Sequence, residues 1–177
     1  MNVATIVLGI FAICLLVLFI VFRKQIKSLM SGESETLPQP SIKHIINCAT
    51  DPFVPNGYVL DKHQPGSKDY EFDAVKVFLF QSEKQEKGIL VGEELLQELV
   101  DIPSLNANVL DYLMVHPELI PESWKNKRIY FLGTIYLLND IRVVRYLYWS
   151  KSQWTWCQRW LESGFDHRHF AAVVPKN

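Results

Sequence analysis

The chain has 177 residues, 49% hydrophobic and 21% charged, with a formal net charge of -1. That length fits one domain plus an extra segment, and the ordinary charge content excludes a disordered chain. No Lys/Arg-rich face stands out beyond the N-terminal segment, so no nucleic-acid partner is expected.

The extra segment comes first. VATIVLGIFAICLLVLFIVF, residues 3–22, runs 20 residues without a charge. A helix rising ~1.5 Å per residue spans ~30 Å over that length, the hydrocarbon thickness of a bilayer. The run reads as a single transmembrane helix, with lipid as its partner. A cleaved signal peptide needs a basic start, a shorter apolar run and a small-residue cleavage site. Here only Met1 and Asn2 precede the run, and Phe22 and Arg23 close it. Arg23, Lys24 and Lys27 follow, whereas nothing basic but the amino terminus precedes. The positive-inside rule then places the N-terminus outside and the C-terminal side in the cytoplasm. The same three cations suit contact with anionic headgroups at the membrane surface. Cys14 lies in the apolar run, and Cys48 and Cys157 show no CxxC spacing. Two free thiols fit a reducing compartment; a disulfide between them would contradict that topology.

Residues 23–41 read as a juxtamembrane stalk, because SGESETLPQPS lacks apolar periodicity and is rich in Ser, Glu and Pro. A soluble domain then occupies 42–177. IKHIINCAT, 42–50, reads as a strand, and DPFVPNGY as turn chemistry. DKHQPGSKDYEFD reads as a polar loop, DAVKVFLFQ, 73–81, as a strand, and SEKQEKG as a charged connection. Helices are expected at 92–101, with Leu95, Leu96 and Leu99 on one face, and at 104–115, capped by Ser104. Pro117 ends the second helix, and PELIPESWK turns a corner around Trp124.

The last third is strand-rich. RIYFLGTIYLL, 128–138, meets IRVVRYLYW, 141–149, across Asn139-Asp140, a tight-hairpin signal. WTWCQRWL, 154–161, and a short closing strand in 169–174 follow. The fold class predicted is α+β, a helix pair packed on a mostly antiparallel sheet.

Counting through both hairpins at period two gives a register. It sets Tyr136 opposite Val143, Thr134 opposite Arg145, Tyr130 opposite Trp149, Trp149 opposite Trp154 and Arg145 opposite Gln158. One face then carries Tyr130, Tyr136, Trp149, Trp154, Trp156 and Trp160, crossed by a polar row of Thr134, Arg145 and Gln158. Gly133 falls on the other face, opposite Tyr146. The aromatic face reads three ways. It is core beneath both helices, with the Arg145 stem along Trp rings and its head in water. It is a recognition platform for a protein, peptide or glycan, formed by Tyr130, Thr134, Arg145, Trp149, Trp154, Trp156, Gln158 and Trp160. Or it is a belt at headgroup depth.

Other chemistry is sparse. His167 and His169 form an H-x-H pair whose imidazoles would share one side of a strand, as metal ligands can, but a surface loop is the better reading. Glu93-Glu94 suits a helix N-terminus. No GxSxG elbow, phosphate loop or GxGxxG fingerprint occurs, so no catalytic residue and no cofactor is assigned.

The strings NANVLDYLMVHPELIPESWKNKRIYFLGTIY, VRYLYW, WTWCQRWLES and FAAVV resemble a group of uncharacterised small bacterial proteins, including candidate-phylum members. That group shares HPELIPE-W, F-GT-Y, YL-W, WLES and FAAV patterns, and the resemblance covers 73–177. It implies bacterial origin and a shared fold, and it supplies no activity, cofactor or site residue. The expectation is a membrane-anchored, non-catalytic binding or adaptor domain. The alternative is a hydrolase-type enzyme using His167 or His169, with or without metal.

Overall fold

The computed structural model describes residues 43–174. The expected membrane helix 3–22, the cations Arg23, Lys24 and Lys27, and the stalk 23–41 lie outside the described residues. No helix among the described residues is long and apolar enough to cross a membrane.

The domain is α+β with mostly antiparallel sheets and few helices. Its elements are β1 (Ile45–Ile46), β2 (Val59–His63), β3 (Tyr70–Glu71), β4 (Phe78–Phe80), α1 (Glu83–Lys87), β5 (Leu90–Val91) and α2 (Gly92–Glu98). After them come α3 (Ala107–Val115), β6 (Arg128–Leu138), β7 (Ile141–Ser150), β8 (Gln153–Trp160), β9 (Gly164–Phe165) and β10 (His169–Val173). The main sheet runs β4-β10-β6-β7-β8, with β2 also paired to β6. Among the described residues only β10–β6 is parallel; β1–β3 and β5–β9 are separate antiparallel pairs.

The first half departs most from its sequence reading. The strand expected at 42–50 is two residues long, and that at 73–81 shortens to Phe78–Phe80. The polar stretch 61–73 contains most of β2 and all of β3, because β2 pairs with Thr134–Leu137 on β6 and not with a local neighbour. The charged SEKQEKG holds α1. Its Ser82 accepts from Lys84 N–H, while the Ser82 N–H donates to Gln85 Oε1, a reciprocal capping box.

Both tight turns form as counted. Asn139, Asp140, Lys151 and Ser152 all have φ between 48° and 62°, the left-handed pairs that two-residue hairpin loops need. β7 and β8 hold the counted register throughout, from Val143↔Trp160 to Ser150↔Gln153. The β6–β7 hairpin holds it only from Leu138↔Ile141 to Ile135↔Val144. Nearer the start of β6 the partners become Tyr130↔Tyr146 and Ile129↔Leu147. Between Tyr130 and Ile135, β6 therefore carries three more residues than β7 uses. A slip by an odd number exchanges faces. Tyr130 leaves the tryptophan face to pack with Leu95, Leu99, Val144 and Phe165, and Phe131 takes its place beside Leu147 and Trp154.

The slip is filled by residues 103–106. Leu105 N–H donates to Ala172 O, Gly133 N–H donates to Leu105 O, and Gln64 N–H donates to Gly133 O. Gly133 thus faces backbone, not the Tyr146 ring. A Cβ there would stand 2.7 Å from Ser104 O and 3.0 Å from Leu105 O. The two longer helices pack into different cores. α3 contributes Val109, Leu110 and Leu113 to the tryptophan side, and α2 contributes Leu95 to the Tyr130 side. The expected helix pair on one face is in fact one helix on each.

Because the clash at Gly133 is with backbone, Gly133→Ala is expected to cost about 1–3 kcal/mol, the range of an overpacked core. Urea denaturation at constant slope measures it, and an unchanged midpoint sinks this account of the slip.

Candidate functional site

The seating of α3 builds the site. Asn106, its N-cap, makes no side-chain cap bond; it spends Nδ2 on Cys48 O and Gln64 O. Ser104, expected as the cap, lies outside the helix in a bridge to Val173. The missing cap comes from the β6 slip: Ala107 N–H donates to Thr134 Oγ1 at 3.0 Å, and His63 Nδ1 lies 2.9 Å from the same oxygen. Thr134 therefore lies beside the start of α3 and has no partner on β7, whereas Arg145 and Gln158 do pair. The expected polar row keeps two members and loses Thr134 to the helix.

One turn into α3 stands Asp111. Its carboxylate accepts from both terminal nitrogens of Arg145, at 2.6 Å and 3.2 Å. Arg145 is 1% exposed, so its head is buried and paired, not solvated as expected. The guanidinium lies 4.2 Å from the Trp156 ring centre and 5.6 Å from that of Phe53. A planar cation between aromatic faces is held electrostatically by the ring quadrupoles. Tyr136 fixes Phe53 in turn by donating to its carbonyl at 2.9 Å. Phe53 itself is 57% exposed, in a stretch where the sequence offered only turn chemistry.

Asp111 is 31% exposed and lines an open groove of about 500 Å³. Asp51, Phe53, Tyr112, Val115 and His116 line it too, and no Lys or Arg does. Val115, at the end of α3, is 74% exposed. The wall combines aromatic and aliphatic surface with the polar side chains of Asn47, Thr50 and Asn108 and two carboxylates, and has no fixed cation of its own among the described residues apart from Arg145 behind Asp111. Sequence reasoning missed Asp111 and Phe53. Asp111 lies 34 residues from Arg145, and nothing local joins them.

The remaining aromatic residues grade from core to surface. Trp154 is buried, and stacks edge-on to half-buried Trp149 at 5.3 Å, over which Lys125 Nζ sits at 4.0 Å. Trp156 and Gln158 are half-buried, and Trp160 is at the exposed end of β8. α3 alone covers the centre of this face, where the core reading expected both helices.

The histidine pair does not act as one. His167 is exposed in the turn before β10, while His169, the first residue of β10, is buried. Asp166 N–H donates to His169 Nδ1 at 2.8 Å, and the Asp166 carboxylate lies 2.9 Å from the same nitrogen. Burial pushes His169 down to about 4, against the pull of the Asp166 carboxylate. Arg168, bonded to Asp166, holds that carboxyl well below the usual carboxylate range. No cluster of three His, Cys, Asp or Glu side chains among the described residues is placed to hold a metal. Cys48 and Cys157 are free, and burial raises the Cys48 thiol to about 11.

No family model matches the chain, and no curated protein or solved structure matches it.

Two outcomes follow from these geometries. Asp111→Ala strands a buried guanidinium and is expected to cost about 3 kcal/mol, whereas adding Arg145→Met to it recovers part of the loss, because the orphaned charge is gone. Urea melts of the single and double variants decide this. Separately, His169 has a folded value of about 4 against 6.5 unfolded. The unfolded chain therefore takes up the proton first. Its contribution is complete above pH 6.5, falls between 6.5 and about 4, and is then exhausted, a loss of about 3 kcal/mol. A His169→Leu variant lacks that part of the slope in stability measured against pH.

Proposed function

We propose that this chain is a membrane-anchored, non-catalytic binding domain. A single helix at 3–22, N-terminus outside, holds a stalk at 23–41 and a cytoplasmic domain at 42–177. Arg23, Lys24 and Lys27 meet lipid headgroups, and kinship with the bacterial group that carries HPELIPE-W and F-GT-Y strings belongs to the same reading. The anchor rests on an uncharged run of bilayer length with basic residues on one side only.

The binding role rests on one observation. Arg145, buried against Trp156, fixes the Asp111 carboxylate in a groove flanked by exposed Phe53 and Val115. Recognition surfaces combine rigid aromatic anchors with a few oriented polar groups. The partner that fits is a protein or peptide segment presenting an apolar side chain beside a basic one. Trp156, Arg145 and Tyr136 support the groove from behind, so the residues that touch a partner are Phe53, Asp111, Val115 and Asp51.

A photo-crosslinking amino acid at Val115 tests this in cells against one at Val100, equally exposed and next to α2. A discrete adduct is expected at Val115 alone, several-fold weaker with Asp51→Lys. Equal labelling at both positions removes the groove from consideration. Topology has its own check: alkaline phosphatase fused after Asn177 should be inactive, and an active fusion overturns the cytoplasmic placement.

A further inference from the structure

The structure also points to a second binding surface, the free edge of β8. Among the described residues, strand β8 ends the main sheet and pairs only with β7. Its two-residue loop makes Ser150 and Gln153 the closing hydrogen-bonded pair. Alternation then directs the N–H and C=O of Trp154, Trp156, Gln158 and Trp160 away from β7. These four residues form an open ladder, and among the described residues only Trp160 O has a backbone partner, the Ser163 N–H.

Edge strands are normally protected by proline, lysine, a bulge or extreme shortness. β8 has none of these: QWTWCQRW is eight residues, without a bulge in its pairing, and its single charge, Arg159, donates to Gly164 O. The charges lie at the two ends. Exposed Lys151 precedes the strand and exposed Glu162 follows it, neither in an ion pair among the described residues. An antiparallel partner of the same sequence sets each Lys151 end against a Glu162 end, while a parallel one sets like charges together.

We propose that the occupant of this edge is a second copy of the chain, joined by two-fold antiparallel pairing of β8 with β8. The register that engages all four outward residues, Trp160 through its free N–H, sets Trp154 opposite Trp160 and Trp156 opposite Gln158 of the other copy. Cys157 then meets its own equivalent at the axis, in a non-hydrogen-bonded pair. Neighbouring Cα atoms in such pairs stand ~4.5 Å apart, within the span of a disulfide. The contact is isologous and closes, so it gives a dimer and not a filament.

Cys157 makes the test direct. The full chain carrying Cys14→Ser, in membranes, is oxidised with copper phenanthroline and run on a non-reducing gel. A band of twice the monomer mass is expected, absent in Cys157→Ser. Gln158→Pro removes an outward N–H without touching the β7 ladder. It should melt near the parent temperature yet lose the dimer band at least ten-fold. Lys151→Glu and Glu162→Lys should each reduce it several-fold, and the two together should restore it. A band that survives Gln158→Pro, a charge pair that fails to rescue, or a Cys157 adduct of another mass overturns self-pairing; the last would assign the edge to a different protein. Photo-adducts at Val115 are independent of every one of these outcomes.

Discussion

The structure depends on a three-residue slip in one strand. Between Tyr130 and Ile135, β6 leaves its register with β7, and the slack admits residues 103–106 against Gly133. One edge of β6 is then served in order by β10, by Leu105 and by β2. Thr134, in the same slack, accepts the first N–H of α3. The helix is thus hung from the sheet at its N-terminus, where an unsatisfied donor is costly. Asp111 follows Ala107 by about one turn, so the cap also sets where the carboxylate points. A regular hairpin would leave Thr134 opposite Arg145 and give α3 nothing to hang from.

Arg145 is the least comfortable group in this arrangement. A buried guanidinium loses its hydration, and an ion pair with one partly exposed carboxylate repays that only in part. Its Nε also lacks a hydrogen-bond partner among the described residues. What the arrangement gains is definition. The planar fork takes Asp111 through two nitrogens while its face meets Trp156, and a lysine reproduces neither contact. A carboxylate that would otherwise sample several rotamers is held in one, at the groove. The tryptophans therefore do not divide cleanly into core and site: Trp154 fills the core, and Trp156 is core on one side and the support of Arg145 on the other.

What the sequence could and could not show follows from distance along the chain. Both hairpins were countable because two-residue turns fix register locally, and β7–β8 matches residue for residue. Pro117 marked the end of α3 for the same local reason. The capping box Ser82–Gln85 was equally local, yet a run of charges hid it. The slip was announced by Gly133, but a glycine can mean a ring, a bulge or a crossing backbone, and only residues 103–106 decide which. The pairing of β2 with β6 and of β10 with β6 joins segments that no turn connects, so polar 61–73 read as loop. Arg145 was visible as an oddity among aromatic residues. Its burial was not, since that required Asp111 from a helix whose rotation is set by Thr134.

Parity ties the two surfaces of β8 together. In a strand that closes a two-residue hairpin, side-chain direction and backbone direction alternate in step. The residues whose side chains lie on the tryptophan face are therefore the same ones whose backbone groups point off the sheet. α3 covers that face and buries Trp154, but a helix packed on a face satisfies no backbone donor at the edge. Burying the rings and leaving the ladder open are thus one consequence of a single turn. A one-residue change of loop length would reverse both, sending the tryptophans to the Tyr146 side and turning the odd-numbered residues outward. Nothing in the hydrophobic pattern alone distinguishes those two sheets, because both faces of β7 and β8 are largely apolar. The choice rests on Lys151 and Ser152 accepting left-handed φ and on Arg145 needing Asp111 on the α3 side.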